Sequence, residues 1–125
     1  MPKKIRVLIV DDSLDMRAIL QSSLYYLAPD VEVIAAATDG SQGIRMTQKY
    51  QPDIVLMDIN LPIIDGISAT KTLGQLIPSS KVILMSGQME YDSLKRSKTA
   101  GARHMFTKPI DCDELISTIR NVYAN

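Results

Sequence analysis

Five residues that could do chemistry follow four apolar segments of the sequence. Asp11 and Asp12 come after KIRVLIV (4–10), Asp58 after DIVLM (53–57), Ser86 after KVILM (81–85) and Lys108 after MFT (105–107). Neighbouring carboxylates raise one another's pKa or require a cation, and a carboxylate can also act as a covalent nucleophile. These residue types suit a metal site or a carboxylate nucleophile, provided that the fold brings them together.

The segments that must position these residues alternate along the sequence between predicted strands and predicted helices. Short runs of apolar residues, typical of strands buried on both faces of a parallel sheet, lie at 4–10, 31–37, 53–57, 81–85 and 105–107. Between them lie segments with helical spacing, which predict helices at 13–27, from about 40 to 50, 67–76 and 91–99. The apolar face predicted for the first helix consists of Met16, Ile19, Leu20, Leu24 and Leu27.

A last helix is predicted after Asp111. Asp111 is a suitable N-cap, with Glu114 three residues later, and an apolar stripe of Leu115, Ile119, Val122 and Tyr123 follows. Five strand and helix pairs in alternation predict a parallel sheet covered by helices on both faces. The carboxyl ends of such strands share one edge, where ligands bind.

At that edge the sequence places three carboxylates, a hydroxyl and a lysine. Three acids, one Mg²⁺ and Lys108 sum to zero charge, and Mg²⁺ prefers carboxylates, water and a phosphate oxygen. Asp58 is the natural nucleophile for an incoming phosphoryl group. Taken singly, Asp12 and Asp58 are better read as helix caps, Ser86 as a loop residue and Lys108 as a solvated side chain. These separate explanations do not account for the whole set, because four strands would have to place matching groups at one edge by coincidence.

Bulk properties narrow the function classes. The 125 residues fit one domain, so we predict a single domain over 1–125, and fourteen basic residues balance fourteen acidic ones. Zero net charge gives no general attraction to nucleic acid or anionic membrane. The apolar runs are too short to span a bilayer, and a single cysteine, Cys112, suits a reducing compartment, so we expect a cytoplasmic protein.

The segments VLIVDDS (7–13), DIVLMDINLPIIDG (53–66), VILMSG (82–87) and AGARHMFTKP (100–109) resemble, in order and spacing, those of response regulator receiver domains. The likeness is greatest to the single-domain chemotaxis type. It implies an α/β flavodoxin-like fold: a doubly wound, five-stranded parallel sheet of order 2-1-3-4-5 with five helices. It also implies a phosphoacceptor of two-component signalling.

The resemblance assigns roles around a bound Mg²⁺. It makes Asp58 the phosphoacceptor, Asp12 a direct metal ligand and Asp11 the residue that holds metal-bound water, with the backbone carbonyl of Asn60 as a further ligand. Asn60 and Gln88 would flank the path of attacking water. Because neither is acidic or basic, we expect hydrolysis without strong side-chain assistance.

Other positions would bind the phosphoryl group and transmit the signal. The resemblance implies that Ser86 and Lys108 contact phosphoryl oxygens and that the Lys108–Pro109 bond is cis. The family's aromatic switch position is Met105 here, and Phe106 is expected in the core. We therefore expect the output to rely more on the loop after Ser86 than on an aromatic switch.

The same resemblance names partners. A sensor histidine kinase or phosphotransfer protein would donate the phosphoryl group to Asp58, and the phosphorylated face of the fourth helix, fifth strand and fifth helix would bind a downstream target. No direct binding of nucleic acid or membrane is expected. The domain is not expected to be an enzyme beyond self-phosphorylation from small donors and autodephosphorylation.

Alternatives remain open. The chain could be the N-terminal receiver of a longer regulator with a DNA-binding or ATPase output domain. An aspartyl-phosphate hydrolase of the haloacid dehalogenase kind is disfavoured because that class needs D-x-D after its first strand, whereas Asp11 and Asp12 are adjacent. His104 and Cys112 are assigned no chemistry. Four basic residues on and after the fourth helix are expected to form a solvated face, with contact to a partner as the alternative: Lys95, Arg96, Lys98 and Arg103.

Overall fold

The computed structural model of the chain describes residues 3–87 and 91–125. These residues form five strands and five helices in strict alternation. Their bounds are β1 (Ile5–Val10), α1 (Leu14–Leu27), β2 (Val31–Ala37), α2 (Gly40–Tyr50), β3 (Ile54–Asp58), α3 (Gly66–Leu76), β4 (Lys81–Ser86), α4 (Tyr91–Ala100), β5 (His104–Thr107) and α5 (Cys112–Ala124). The predicted elements are confirmed, with ends that shift by a residue or so. Gln88 lies outside the described residues, and so do residues 88–90 of the loop after Ser86 on which the output is expected to rely.

The sheet is parallel throughout, in the order β2-β1-β3-β4-β5. Its register aligns the strand ends that carry polar residues. Val10 pairs with Met57, so Asp11 and Asp58 are level with each other at the carboxyl edge. Ser86 pairs with Thr107, which brings Lys108 to the same edge. The predicted fold and the predicted meeting of the strand ends are both confirmed.

Helices cover both faces of the sheet. Along β1, Val7 and Ile9 pack in one core cluster with α1 and α5, whereas Leu8 and Val10 pack in the other with α2, α3 and α4. A strand that buries successive side chains in two cores needs apolar residues at every position, which explains the continuous apolar runs.

The predicted apolar face of α1 is too wide. Leu20 and Leu24 are buried and Met16 packs against the core, but Ile19 and Leu27 are 56% and 55% exposed. Ile19 lies about 100° around the helix from Leu20, and Leu27 is the last residue of the helix, just before the buried Ala28. In α5 the stripe holds for Leu115, Ile119 and Val122, while Tyr123 is 41% exposed.

The predicted N-cap of α5 is confirmed. Asp111 accepts a hydrogen bond from the backbone N–H of Glu114 at 3.1 Å. None of the helices within residues 3–87 and 91–125 combines the length and the apolar character needed to cross a bilayer.

Candidate functional site

Three carboxylates and one lysine meet at the carboxyl edge of the sheet. Asp11, Asp12 and Asp58 each offer a carboxylate oxygen, and these oxygens lie within 4.8 Å of one another. The Lys108 Nζ atom lies 3.1 Å from Asp11 Oδ2 and 3.2 Å from Asp58 Oδ2. Asp11 and Asp58 are buried, while Asp12 is exposed. The four charged residues that the sequence singled out are therefore in one pocket.

Burial and charge act in opposite directions on Asp58. Burial raises the pKa of its carboxyl group, and the nearby Asp11 carboxylate adds to this effect. Lys108 and the backbone N–H of Asn60, which donates to Asp58 Oδ1 at 3.2 Å, favour the carboxylate but do not cancel the cost of burial. The folded chain therefore holds the ionised Asp58 at a net cost, which a further cation would relieve.

Lys108 responds to the same neighbours with the opposite balance. Burial alone would lower the pKa of its ammonium group, but Asp58 and Asp11 outweigh burial and raise that pKa. The lysine thus stays charged between two carboxylates, and the cluster of three acids and one lysine keeps an excess of negative charge. Such a set of hard oxygen donors fits Mg²⁺, which is commonly bound by one or two carboxylates together with water.

Asp12 and Asp58 are not helix caps, so the simpler explanation of these residues is wrong. Ser13 caps α1, and its Oγ atom accepts from the backbone N–H of Met16 at 3.2 Å. Asp65 caps α3, and its Oδ1 atom accepts from the backbone N–H of Ser68 at 2.9 Å. Because the caps come one and seven residues after the two acids, the carboxylates at 12 and 58 are left for the edge pocket.

Ser86 and Lys108 are joined through the backbone. Ser86 is the buried last residue of β4, and its carbonyl accepts from the Lys108 N–H at 2.7 Å. The Lys108–Pro109 peptide bond is cis, as the resemblance implies. Ser86 is therefore adjacent to the strand end that carries the lysine. Asn60 is exposed and lies two residues after Asp58, and the role of its carbonyl as a metal ligand stays a prediction.

Met105 and Phe106 point to opposite sides of the sheet. Phe106 lies in the core cluster with α5, which confirms the core assignment, and His104 packs edge-on against it at 4.6 Å between ring centroids. Met105 is 8% exposed in the other cluster, and its Sδ atom lies 3.7 Å from the Oγ atom of Ser97 in α4, whose proton is donated to the Ser93 carbonyl at 2.7 Å. The residue at the expected switch position thus already lies inward, against α4.

Two residues of the site carried no usable sequence signal for their roles. Arg17 of α1 donates from Nη1 to the carbonyl oxygen of Asp11 at 2.7 Å, although an arginine on an amphipathic helix reads as a solvated charge. Gly66 begins α3 so close to β3 that a Cβ there would lie 2.1 Å from the carbonyl oxygen of Asp58. The Asp65–Gly66 pair is a recognisable turn signal, but it does not reveal this contact.

Comparison with known proteins agrees with this geometry. The family model described as "Response regulator receiver domain" matches residues 7–120. The chain is 34% identical over 119 residues to the transcriptional regulatory protein DegU of Brevibacillus brevis, covering 95% of this chain but 50% of DegU. It is 32% identical to the chemotaxis protein CheY of Bacillus subtilis, covering 91% and 93% of the two chains.

A solved structure of a response regulator domain has the same fold. The response regulator domain of Thermotoga maritima CheB superposes with a TM-score of 0.90 at 30% identity, covering 98% of both chains. A family match over most of the chain, the receiver strand order and the acidic edge pocket agree, and the chain belongs to the response regulator receiver domain family of two-component systems.

Proposed function

We propose that Asp58 is the phosphoacceptor of this receiver domain, which we take to span 1–125, and that the transfer depends on Mg²⁺. The observation that carries the proposal is the position of Asp58 between Asp11, Asp12 and Lys108, with carboxylate oxygens within 4.8 Å of one another. We assign the metal to Asp11, Asp12 and Asp58 together with the backbone carbonyl of Asn60. A bound Mg²⁺ would neutralise charge on the phosphoryl oxygens.

The chain's own residues would bring the reacting groups together. An Asp58 oxygen attacks phosphorus, an O–P bond forms and the P–N bond of a donor phosphohistidine breaks, and the leaving imidazole is protonated from solvent. Lys108, which now bridges two carboxylates, would donate to a phosphoryl oxygen, and so would the Ser86 hydroxyl. Attack of water on the same phosphorus would later release inorganic phosphate and restore the Asp58 carboxylate.

The direct test is phosphorylation by a small donor. The chain is incubated with acetyl phosphate and Mg²⁺ and its intact mass is measured, with EDTA in a parallel sample. We expect a gain of one phosphoryl group in the native chain and in Asp15→Asn, an exposed acid in the first turn of α1, but none in Asp58→Asn. No mass gain in the native chain, or equal labelling of Asp58→Asn, would refute the proposal.

For the output, we propose that coupling relies more on Ser86 and the loop after it, leading to α4, than on a rotating side chain at position 105. The inward position of Met105 and its contact with Ser97 support this assignment, since Met105 need not move to reach the core. Met105→Ala should then keep the changes in amide chemical shift that acetyl phosphate induces in α4, β5 and α5. Loss of those changes with phosphorylation intact would make Met105 the switch.

The proposed partners follow from the family. A sensor histidine kinase or phosphotransfer protein would supply the phosphoryl group, and the face of α4, β5 and α5 would bind a downstream protein or a fused output domain. The match to half of DegU makes a longer regulator a real alternative, which the length of the native reading frame decides. The cytoplasmic location stays a prediction. The family match to a receiver domain disfavours the hydrolase alternative.

A further inference from the structure

Arg17 contacts the backbone of the acidic pocket. It is half-buried in the first turns of α1, and its Nη1 atom donates to the backbone carbonyl of Asp11 at 2.7 Å. Within residues 3–87 and 91–125 it forms no ion pair with an acidic side chain, although the carbonyl that it contacts belongs to Asp11, a member of the carboxylate cluster. The guanidinium is therefore engaged with the backbone of the pocket rather than with its charges.

That carbonyl belongs to the peptide unit joining Asp11 to Asp12. The peptide unit is planar, so a short, charge-assisted hydrogen bond to its oxygen sets the orientation of the whole unit. The N–H of Asp11 is already bonded to Ala37 O at 3.1 Å across the sheet. The two peptide units on either side of the Asp11 Cα atom are therefore both held, which restricts the position of the Asp12 Cα atom and the course of the backbone from it.

The two acids of the turn differ in their own anchors. The side chain of Asp11 accepts from the Ser13 N–H at 2.9 Å and from Lys108 at 3.1 Å. The exposed side chain of Asp12 makes no hydrogen bond or ion pair within the part of the chain that the structure describes. The position of the Asp12 side chain therefore depends on the backbone that carries it, beginning with the Asp11–Asp12 peptide unit to which Arg17 donates.

We propose that Arg17 is a positioning residue for Mg²⁺ binding, acting through the Asp11–Asp12 peptide unit to aim the Asp12 carboxylate. The inference rests on the proposed function. The positioning role and simple electrostatics predict opposite changes in Mg²⁺ affinity when Arg17 is replaced. A cation near the pocket repels Mg²⁺, so loss of the Arg17 charge alone would tighten binding, whereas loss of a positioning contact weakens it.

A second observation separates this role from a purely structural one. Arg17 lies near the N-terminus of α1, where a positive charge opposes the helix dipole. Its removal is therefore not expected to destabilise the helix through that charge. Weaker metal binding in a variant that remains folded would then report the orientation of Asp12 rather than a loss of fold.

The experiment measures the metal alone. Calorimetric titration with MgCl₂ is compared for the native chain, Arg17→Met, Arg17→Lys and the control Arg45→Met, which alters an exposed arginine on α2. We expect the Mg²⁺ affinity of Arg17→Met to fall roughly tenfold, as for partners of metal ligands. Arg17→Lys should fall less, and Arg45→Met should match the native chain. The Mg²⁺ dependence of acetyl phosphate labelling should show the loss in half-saturation rather than in maximal rate.

The outcomes distinguish this inference from the function on which it rests. Unchanged or tighter Mg²⁺ binding in Arg17→Met, with native binding and labelling intact, overturns the role of Arg17 alone. A native chain that neither binds Mg²⁺ nor gains a phosphoryl group overturns the proposed function and this inference together. If thermal melting shows that Arg17→Met is unfolded, Arg17→Lys decides, and native-like half-saturation in that variant counts against the proposal.

Discussion

At Gly66, the addition of a single methyl group is expected to displace the backbone that carries Asp58. The first residue of α3 lies against the end of β3, and its N–H donates to the Ile59 carbonyl at 2.8 Å. A Cβ at this position would lie 2.1 Å from the Asp58 carbonyl oxygen and 2.8 Å from the Ile59 Cα atom. Both neighbours are backbone, so neither can rotate away. Gly66→Ala must therefore move the helix or the strand end.

The size of that movement sets the expected effect. Opening the contact with the Asp58 oxygen from 2.1 Å to the 3.0 Å that real Cβ atoms keep requires a displacement of about 0.9 Å. A misplacement of about 1 Å costs on the order of 100-fold in rate when reacting groups must be aligned. Overpacking of this kind costs roughly 1–3 kcal/mol of unfolding free energy, and the rigid surroundings favour the upper end of that range.

Gly74→Ala on the same helix is the matched control. Gly74 is exposed, and the nearest atom to its added Cβ would be the Ala100 carbonyl oxygen at an ordinary 3.9 Å. This change should stabilise α3 by about 0.5–1 kcal/mol, since alanine is the better helix former. Urea unfolding and the initial rate of acetyl phosphate labelling at saturating Mg²⁺ measure both effects. A Gly66→Ala variant with the stability and rate of the native chain would show that the close approach is not a constraint.

Two further changes test the loop and the pocket. Ile63, which is β-branched and 79% exposed, has a φ of 71°, so Ile63→Asn should stabilise the chain by about 1 kcal/mol in urea unfolding. Ile63→Val, still β-branched, should give no gain, and equal stabilities for the two variants would contradict the strain. The pKa of the Asp58 carboxyl group is higher in the folded chain than the value of 3.8 that applies to the unfolded chain. The contribution of this carboxyl group to the free energy of unfolding is therefore fully present below pH 3.8 and is lost as the pH rises through the pKa of the folded chain. Asp58→Asn lacks this loss, so in metal-free buffer its stability relative to the native chain should increase with pH over that window; a constant difference would refute the assignment.

The strand ends and the polar residues after them could be predicted because their signals are local. A strand buried on both faces shows as an unbroken apolar run, so its end is visible in the sequence, as at Asp58. Parallel pairing then places all such ends on one edge without any knowledge of side-chain contacts. Cap residues could be predicted at Asp111 for the same reason, since its partner Glu114 is three residues away. At Asp12 and Asp58 the local rule gave a wrong answer, because Ser13 and Asp65 are better placed to cap.

Sequence pattern alone specified the fold class, the sheet edge that carries the candidate site, and the residues that follow the strands there: Asp11, Asp12, Asp58, Ser86 and Lys108. The folded chain decided the contacts that no periodicity encodes. The bridge from Lys108 to Asp11 joins residues 97 positions apart. The orientation of Arg17 toward a backbone carbonyl, and the lack of room at Gly66, depend on the packing of helices against strand ends. Such contacts depend on how closely segments that are far apart in the sequence approach one another in the fold. The residue types involved, arginine and glycine, are also common on solvated surfaces and in ordinary turns, so they do not indicate such contacts.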